Sequence, residues 1–135
     1  RAYLYAPERP LSDWARDILA RSRAAEHWEM PLSLLEELSD KEETSELLAI
    51  VAMPPDEVSR IPLAEGMLVV VFDRPGNPGN LGSSLRSCDA LQVAGVIMTG
   101  HATDLYHPHT IRGSMGSLFS VPGLKIIRLG CNDNI

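Results

Sequence analysis

The chain has 135 residues and is 44% hydrophobic, so it can bury one core or two modest ones. No stretch approaches the roughly 18 apolar residues of a membrane span, and the first residues do not read as a secretory signal, so we expect a cytoplasmic protein with no membrane partner. The net charge of -6 argues against a nucleic-acid partner, but the acidity belongs to residues 1–66, with 7 Lys or Arg against 14 Asp or Glu, while residues 67–135 hold 5 against 4.

The first half of the chain alternates short strands with helices. Ala2 to Tyr5 is predicted as a strand, and the helix after Pro10 is predicted to have Ser12 as its N-cap. The residues expected on the apolar face of this helix are Trp14, Ile18, Leu19 and Ala25. Three more elements follow in order: a strand at 27–30, a helix at 32–38 and an apolar strand at 47–53. This alternation is typical of an α/β fold.

A linker is predicted between two units. Pro54, Pro55 and Pro62 bracket a segment that is poor in apolar residues, which is typical of a connection between domains. The predicted parts are a first unit at residues 1–53, a linker at residues 54–66 and a second unit at residues 67–135.

No cluster in the sequence predicts a metal site. An acidic run in the first half is interpreted as a solvated face rather than a cation site, and it consists of Glu36, Glu37, Asp40, Glu42, Glu43 and Glu46. Cys88 and Cys131 lack the spacing of metal ligands, and Cys88 is interpreted as a residue of a helix core. His107 and His109 flank a proline without a third ligand nearby.

The second unit opens with a strand followed by a glycine-rich loop. The apolar run from Met67 to Phe72 is typical of a strand buried in a parallel sheet. Gly76, Gly79 and Gly82 come next, and with so little Cβ bulk the loop could bring its N–H groups close to an anionic or ribose-phosphate ligand. No Lys follows the last glycine, and the glycine spacing is not that of a dinucleotide fold, so neither common phosphate loop fits.

The helix after this loop is predicted to pack through one stripe. Leu81, Leu85 and Cys88 form that stripe. Arg86 lies about 100° round from Leu85, and Asn80 falls at or beside the helix N-terminus, where it could act as a cap. The elements predicted beyond this helix are a strand at 95–98, a helix at 109–118 that has a proline in its first turn, and a strand at 125–129.

Two stretches of the second unit carry a specific pattern. The first consists of Asp73, Pro78, Asn80, Gly82, Arg86 and Ala90. The second runs from Arg112 to Pro122 and reads RGSMGSLFSVP. In this order and at this separation, the two stretches resemble the SpoU (TrmH) family of RNA 2'-O-ribose methyltransferases, in the SPOUT superfamily. The chain departs from the family at Cys88 and Gln92, where Ala and a left-handed Gly are usual.

The resemblance implies a fold and an activity. It implies a partial ribosomal-protein-like RNA-recognition domain of the kink-turn-binding type, followed by an α/β methyltransferase domain with a trefoil knot. The implied reaction is methylation of a ribose 2'-hydroxyl in RNA, with S-adenosylmethionine as cofactor, ribosomal RNA favoured over transfer RNA, and a homodimer as the active form. The family motifs that build the S-adenosylmethionine pocket and the knot have no counterpart before Ile135, so both are expected beyond it.

The resemblance also implies roles for particular residues. Arg86 is the implied catalytic residue, either as the base that takes the 2'-hydroxyl proton with help from the substrate phosphate, or as a guanidinium that holds the phosphate and stabilises developing charge. Asn80 is the second implied catalytic residue, orienting Arg86 or the loop, unless it is a helix cap. Independently of the resemblance, Arg74 and Arg112 could form a basic patch with Arg86 that contacts RNA, although Arg112 could equally contact a neighbouring carboxylate. Residues 114–116 match the family pattern and are interpreted as part of a small-residue helix that packs on the sheet.

Two other functions fit the same sequence. A non-catalytic RNA-binding or assembly protein would keep the motif loop and lack the donor site. A nucleotide-binding α/β module would use the loop for phosphate. Binding of S-adenosylmethionine separates the methyltransferase from both alternatives. Binding of RNA separates the non-catalytic RNA-binding protein from the nucleotide-binding module.

Overall fold

The computed structural model describes residues 1–39 and 43–126. The chain divides into two compact units, the first Arg1–Pro54 and the second beginning at Pro55, and each is built round a three-stranded sheet. Among the described residues, no helix is both long enough and apolar enough to cross a membrane. Each unit combines helices with strands, which confirms the α/β class predicted from the sequence.

The first unit is a mixed sheet with two helices. Its elements are β1 (Ala2–Tyr5), α1 (Asp13–Arg21), β2 (Glu26–Glu29), α2 (Leu32–Ser39) and β3 (Leu48–Ile50). The strand order is β2-β1-β3, with β1 parallel to β2 and antiparallel to β3. Its buried core consists of Leu4, Ala6 and Leu35. The predicted β1 is confirmed, the predicted strand at 47–53 is shorter than expected, and Asp40 and Glu42 of the acidic run lie outside the described residues.

Helix α1 confirms its predicted cap and part of its predicted apolar face, since Ile18 and Leu19 are half-buried. The Ser12 Oγ accepts a hydrogen bond from the Ala15 N–H at 3.2 Å, which satisfies one of the open donors of the first turn. Ala15 is fully buried, whereas Trp14 is 66% exposed and Ala25 lies beyond the end of the helix. Because successive helical residues point about 100° apart, burial of Ala15 turns Trp14 toward solvent.

The second unit is a parallel sheet with helices in its connections. Its elements are β4 (Val69–Asp73), α3 (Pro78–Ala90), β5 (Gly95–Thr99), α4 (Pro108–Ser114) and β6 (Gly123–Ile126), with 3₁₀ turns at Val58–Arg60 and Ser117–Phe119. The strand order is β4-β5-β6, and both pairings are parallel. The predicted stripe of Leu81, Leu85 and Cys88 is confirmed, because all three belong to the core of this unit.

Strand β4 is less buried than its sequence predicts. Val70 and Phe72 pack against the core beneath α3, but Val71 between them is 58% exposed. Successive strand residues point to opposite faces of a sheet, and α3 packs on the face that holds Val70 and Phe72. A continuous apolar run predicts a strand that is buried on both faces of the sheet. In the described residues, α3 covers the face of β4 that holds Val70 and Phe72.

The helix predicted at residues 109–118 is divided in two by its backbone. Helix α4 ends at Ser114 because Met115 and Gly116 both take left-handed conformations, with φ of 51° and 99°. Gln92 is also left-handed, at φ 53°, which agrees with its position where the family usually has Gly. The last predicted strand is present up to Ile126, and residues 127–129 lie outside the described residues.

The stretch predicted as a linker, residues 54–66, is grouped with the second unit from Pro55 onward. Ile61 is 3% exposed, and a Cβ built on Gly95 would lie 2.6 Å from its Cγ1 atom. The Asp56 Oδ1 accepts a hydrogen bond from the Lys125 N–H at 3.0 Å. These contacts place much of the stretch along the second sheet.

Candidate active site

The carboxyl ends of β4 and β5 are joined by the side chain of Asp73. Its Oδ1 accepts a hydrogen bond from the Thr99 Oγ1 at 2.9 Å, and its Oδ2 lies 2.7 Å from the Arg74 Nη2. Hydrogen bonds from Arg74 and, to a lesser degree, Thr99 hold the pKa of Asp73 below its usual value, because both favour the charged carboxylate. The first residue of the motif therefore organises the loop and stays ionised.

Arg74 is held against the loop by its side chain and its backbone. It has a left-handed backbone at φ 49°, and its N–H donates to the Thr99 carbonyl at 3.0 Å. A Cβ on Gly100 would lie 2.6 Å from the Arg74 Cγ, so the absence of a side chain at Gly100 makes room for the arginine. The Asp73 carboxylate raises the pKa of Arg74 further, through a hydrogen bond and opposite charge. Arg74 is thus an anchored, exposed cation.

Asn77, rather than Asn80, caps helix α3. The Asn77 Oδ1 accepts a hydrogen bond from the Asn80 N–H at 3.0 Å, and Pro78 occupies the first helical position, where a missing N–H costs nothing. Asn80 is exposed in the first turn. The interpretation of Asn80 as the cap is therefore wrong. An Asn-Pro pair ahead of a helix was the signal for Asn77 in the sequence.

We expect Asn77→Ala to lower the free energy of unfolding by about 1 kcal/mol, because the Asn80 N–H loses its acceptor. Urea denaturation followed by circular dichroism measures this change. Asn80→Ala is the matched control and should leave the midpoint unchanged, since its side chain is exposed and caps nothing in the described residues. Equal losses in the two variants would contradict the assignment of the cap.

The motif glycines serve helix packing more than ligand approach. Gly79 and Gly82 lie inside α3 rather than in the loop. A Cβ on Gly82 would lie 2.6 Å from the Thr110 carbonyl oxygen and 2.8 Å from the backbone of Gly113. Gly76 does lie in the loop, with nothing within 4 Å of its Cβ position. The prediction that all three glycines lie in the loop is therefore wrong, because Gly79 and Gly82 are helical, and Gly82 lets α4 approach α3.

The second motif stretch supplies the other side of this helix contact. Ser114 is fully buried, and its Oγ donates to the Ile111 carbonyl at 2.8 Å, while its backbone nitrogen faces Gly82. Met115 is 78% exposed at the left-handed turn that ends α4. Residues 114–116 were predicted to pack a helix on the sheet, whereas Ser114 alone makes the close contact, and that contact is with α3.

Arg86 and Asn80 lie on different faces of α3. Arg86 is exposed and clear of the buried stripe, as predicted. Six helical positions rotate by about 600°, so the two residues point roughly 120° apart and lie about 9 Å apart along the axis. Within the described residues no hydrogen bond joins them. The structure therefore does not bring Asn80 into contact with Arg86, and the alternative in which Asn80 orients the loop stays a prediction.

A groove lies between the first turn of α3 and helix α4. Its volume is about 540 Å³, and its lining residues are Asn77, Pro78, Gly79, His109, Arg112 and Gly113. The His107 Nδ1 accepts a hydrogen bond from the His109 N–H at 3.1 Å, and the two rings stack with centroids 5.4 Å apart. The groove brings the predicted Arg112 together with Asn77 and His109. Nothing in the sequence pattern indicated Asn77 or His109 as binding residues.

The groove does not suit a sulfonium cofactor. Arg112 is a cation, His109 is neutral or cationic, and no carboxylate lines the groove, whereas the sulfur of S-adenosylmethionine carries a positive charge. No described residue is therefore assigned to the methyl donor. Across the part of the chain that the structure describes, no three His, Cys, Asp or Glu residues are grouped as metal ligands would be.

Comparison with known proteins identifies a family for the second unit. Residues 67–129 match the SpoU rRNA Methylase family. The chain is 48% identical over 127 residues to the 23S rRNA (uridine(2479)-2'-O)-methyltransferase of Streptomyces viridochromogenes. This alignment covers 93% of the chain and 44% of that protein. It is 32% identical over 83 residues to the 23S rRNA (guanosine(2553)-2'-O)-methyltransferase RlmP of Bacillus subtilis, covering 62% of the chain and 32% of the relative.

The fold of both units recurs in solved structures. The SpoU methyltransferase AviRb from Streptomyces viridochromogenes, in complex with the cofactor AdoMet, matches 95% of the chain and 48% of its own length with a TM-score of 0.88 and 47% identity. An AdoMet-bound rRNA methyltransferase from Sinorhizobium meliloti shares the fold at a TM-score of 0.77 and 24% identity, over 93% of the chain and 46% of that protein. The chain thus spans about half the length of these two structures.

Proposed function

Because residues 67–129 belong to the SpoU rRNA methylase family, we propose that the protein containing this chain methylates a ribose 2'-hydroxyl of RNA with S-adenosylmethionine as the donor. One observation carries the proposal: over 95% of its length the chain shares the fold of a SpoU methyltransferase that was solved with AdoMet, at 47% sequence identity. The substrate we propose is ribosomal RNA, since the similar proteins of Streptomyces and Bacillus are 23S rRNA 2'-O-methyltransferases.

The rest of the proposed assembly follows the family. The first unit, Arg1–Pro54, is an RNA-recognition domain of the kink-turn-binding type, and the second begins a SPOUT methyltransferase domain that a trefoil knot completes. The enzyme is a cytoplasmic homodimer. The likeness to AviRb covers 95% of the chain and so includes residues of both units, which favours an RNA-modifying protein over a nucleotide-binding module.

Arg86 is the residue to which we assign catalysis. The 2'-hydroxyl oxygen bonds to the methyl carbon as the carbon–sulfur bond breaks, the sulfur leaves as a neutral thioether, and the hydroxyl proton passes to solvent water. A guanidinium stays protonated and has donors but no acceptor, so Arg86 would hold the substrate phosphate and stabilise the negative charge that develops on the ribose oxygen. Its exposure on α3, clear of the packed stripe, supports this role.

Two further side chains complete the proposed site. Arg74, held by Asp73 at the end of β4, would contact an RNA phosphate from the loop. Asn80 is assigned to the substrate side of the first turn of α3, because its side chain is exposed and the capping role belongs to Asn77. Arg74 directly follows the end of β4, and Asn80 lies in the first turn of α3. The two polar side chains therefore lie at either end of the connection between these elements.

The proposed function is tested by methyl transfer to ribosomal RNA. The full-length protein, incubated with S-adenosylmethionine carrying a labelled methyl group, should label 23S rRNA. The label should survive alkaline hydrolysis within a dinucleotide, because a 2'-O-methyl group removes the hydroxyl that cleaves the adjacent phosphodiester. Label on a base would overturn the proposed chemistry, and RNA binding without transfer would favour the non-catalytic RNA-binding protein.

A further inference from the structure

We propose that the groove between α3 and α4 binds a phosphodiester of the substrate RNA, at a position separate from the phosphate that Arg86 contacts. This inference rests on the proposed function, since it adds a second contact to the same RNA strand. Its evidence is the shape of the groove floor, the charge of the lining residues and the alignment of the groove with Arg86 along α3.

The floor of the groove is backbone rather than side chain. A Cβ on Gly113 would lie 3.2 Å from the Gly79 carbonyl oxygen and 3.5 Å from the Gly82 Cα, so the two helices touch where neither has a side chain. The side chains of Asn77, His109 and Arg112 therefore stand round an open floor instead of filling it. A small tetrahedral group can enter such a space without moving a helix.

The chemistry of the lining favours an anion. The chain has a net charge of -6, yet none of the six lining residues is acidic. Arg112 supplies a planar fork of donors that suits two phosphate oxygens. Asn77 uses its Oδ1 in the helix cap, so the part of its side chain that remains for a ligand is the amide NH₂, a donor of two hydrogen bonds. His109 adds a ring N–H, with its ring stacked on His107.

The groove is aligned with the proposed catalytic arginine. Arg86 follows Gly79 by seven residues, a rotation of about 700°, so the two positions face almost the same way and are about 10 Å apart along the axis. Gly79 lines the groove. A strand of RNA running along this face of α3 would meet the groove and Arg86 in turn, and we assign the two contacts to different phosphates.

Arg112→Gln in the full-length protein tests the groove. Binding to a labelled single-stranded oligoribonucleotide, measured without the methyl donor at several salt concentrations, should weaken about tenfold. The slope of log affinity against log salt should fall in magnitude by about 0.7, because one fewer counterion is released from single-stranded RNA. Arg112→Lys should keep the slope and lose part of the affinity, since it retains the charge but not the fork.

An uncharged backbone provides the matched control. Against an oligonucleotide with methylphosphonate linkages, wild type and Arg112→Gln should bind equally, because the contact to the charged phosphate is absent from both complexes. His109→Gln should weaken binding to the natural RNA less than Arg112→Gln. Equal unfolding midpoints for the variants and wild type, checked by thermal denaturation, separate loss of the contact from loss of the fold.

The groove and the proposed function can fail separately. An Arg112→Gln protein that binds natural RNA with unchanged affinity and salt slope would overturn the groove assignment, even if the wild type methylates 23S rRNA. Loss of affinity that is equally large on the methylphosphonate oligonucleotide would also overturn it, in favour of a contact to base or sugar. A wild type that shows the expected phosphate dependence but transfers no methyl group would leave the groove in place and remove the enzyme assignment.

Discussion

Arg86→Ala is expected to reduce the rate of methyl transfer to 23S rRNA by at least 10²-fold to 10³-fold, and the folded structure is expected to remain. Loss of a single charge-stabilising donor in an active site costs about this much. Arg86 is exposed and lies off the stripe formed by Leu81, Leu85 and Cys88, so its removal leaves the core intact. A substitution at such a surface position changes the free energy of unfolding by about 0.5 kcal/mol or less.

The measurement is the single-turnover rate with saturating RNA, together with the unfolding midpoint. Arg86→Lys should be nearly as slow, because an ammonium is a point charge and does not reproduce the fork of the guanidinium. Ser87→Ala, at an exposed neighbouring position of the same helix, is the control and should retain the wild-type rate. A well-folded Arg86→Ala protein with full activity would exclude Arg86 from catalysis.

The elements of this fold could be predicted because their local signals agree with their packing. Ser12 precedes a helix and caps it, and the spacing of Leu81, Leu85 and Cys88 matches the face that α3 buries. Trp14 shows where the local signal failed. Helical periodicity identifies an apolar position but cannot say whether a large or a small residue meets the core, and in α1 the small Ala15 is buried.

The sequence suggests candidate site residues by type but not their arrangement. The resemblance to a family singled out Arg86, the charge pattern suggested Arg74 and Arg112, and all three lie on the second unit. The sequence could not show that the Asp73 carboxylate accepts a hydrogen bond from Thr99 on the next strand, or that Arg112 lines a groove with Asn77, because these contacts join residues from separate elements. Contacts of this kind depend on how the strands and helices pack, which is a tertiary property that spacing along the chain does not encode.

Gly82→Ala is expected to destabilise the second unit strongly. Its Cβ would lie 2.6 Å from the Thr110 carbonyl oxygen and 2.8 Å from backbone atoms of Gly113 and Ser114. Backbone atoms of a packed helix cannot rotate out of the way as a side chain can. Overpacking costs about 1 to 3 kcal/mol in well-packed cores, and a contact with three backbone atoms belongs at the upper end of that range.

Helix propensity acts in the opposite direction on the same substitution. Ala is favoured over Gly inside a helix by about 1 kcal/mol, so Gly82→Ala would stabilise an isolated α3. The steric cost exceeds this gain, and the net loss should be about 2 kcal/mol, or roughly 10 °C in the unfolding midpoint of a unit of this size. The sign of the change therefore decides whether Gly82 serves helix packing or only leaves room for a ligand.

Thermal unfolding of a graded set of glycine variants separates these two roles. Gly76→Ala should leave the unfolding midpoint unchanged, because nothing lies within 4 Å of its Cβ position. The midpoint of Gly113→Ala should lie between those of Gly76→Ala and Gly82→Ala, because its Cβ would lie 3.2 Å from the Gly79 carbonyl oxygen. A Gly82→Ala protein as stable as wild type would remove the packing role. Arg86 follows Gly82 by one turn on α3, so a displacement of this helix would also move the proposed catalytic residue. Lost activity in Gly82→Ala therefore counts as evidence of ligand contact only where the variant remains fully folded.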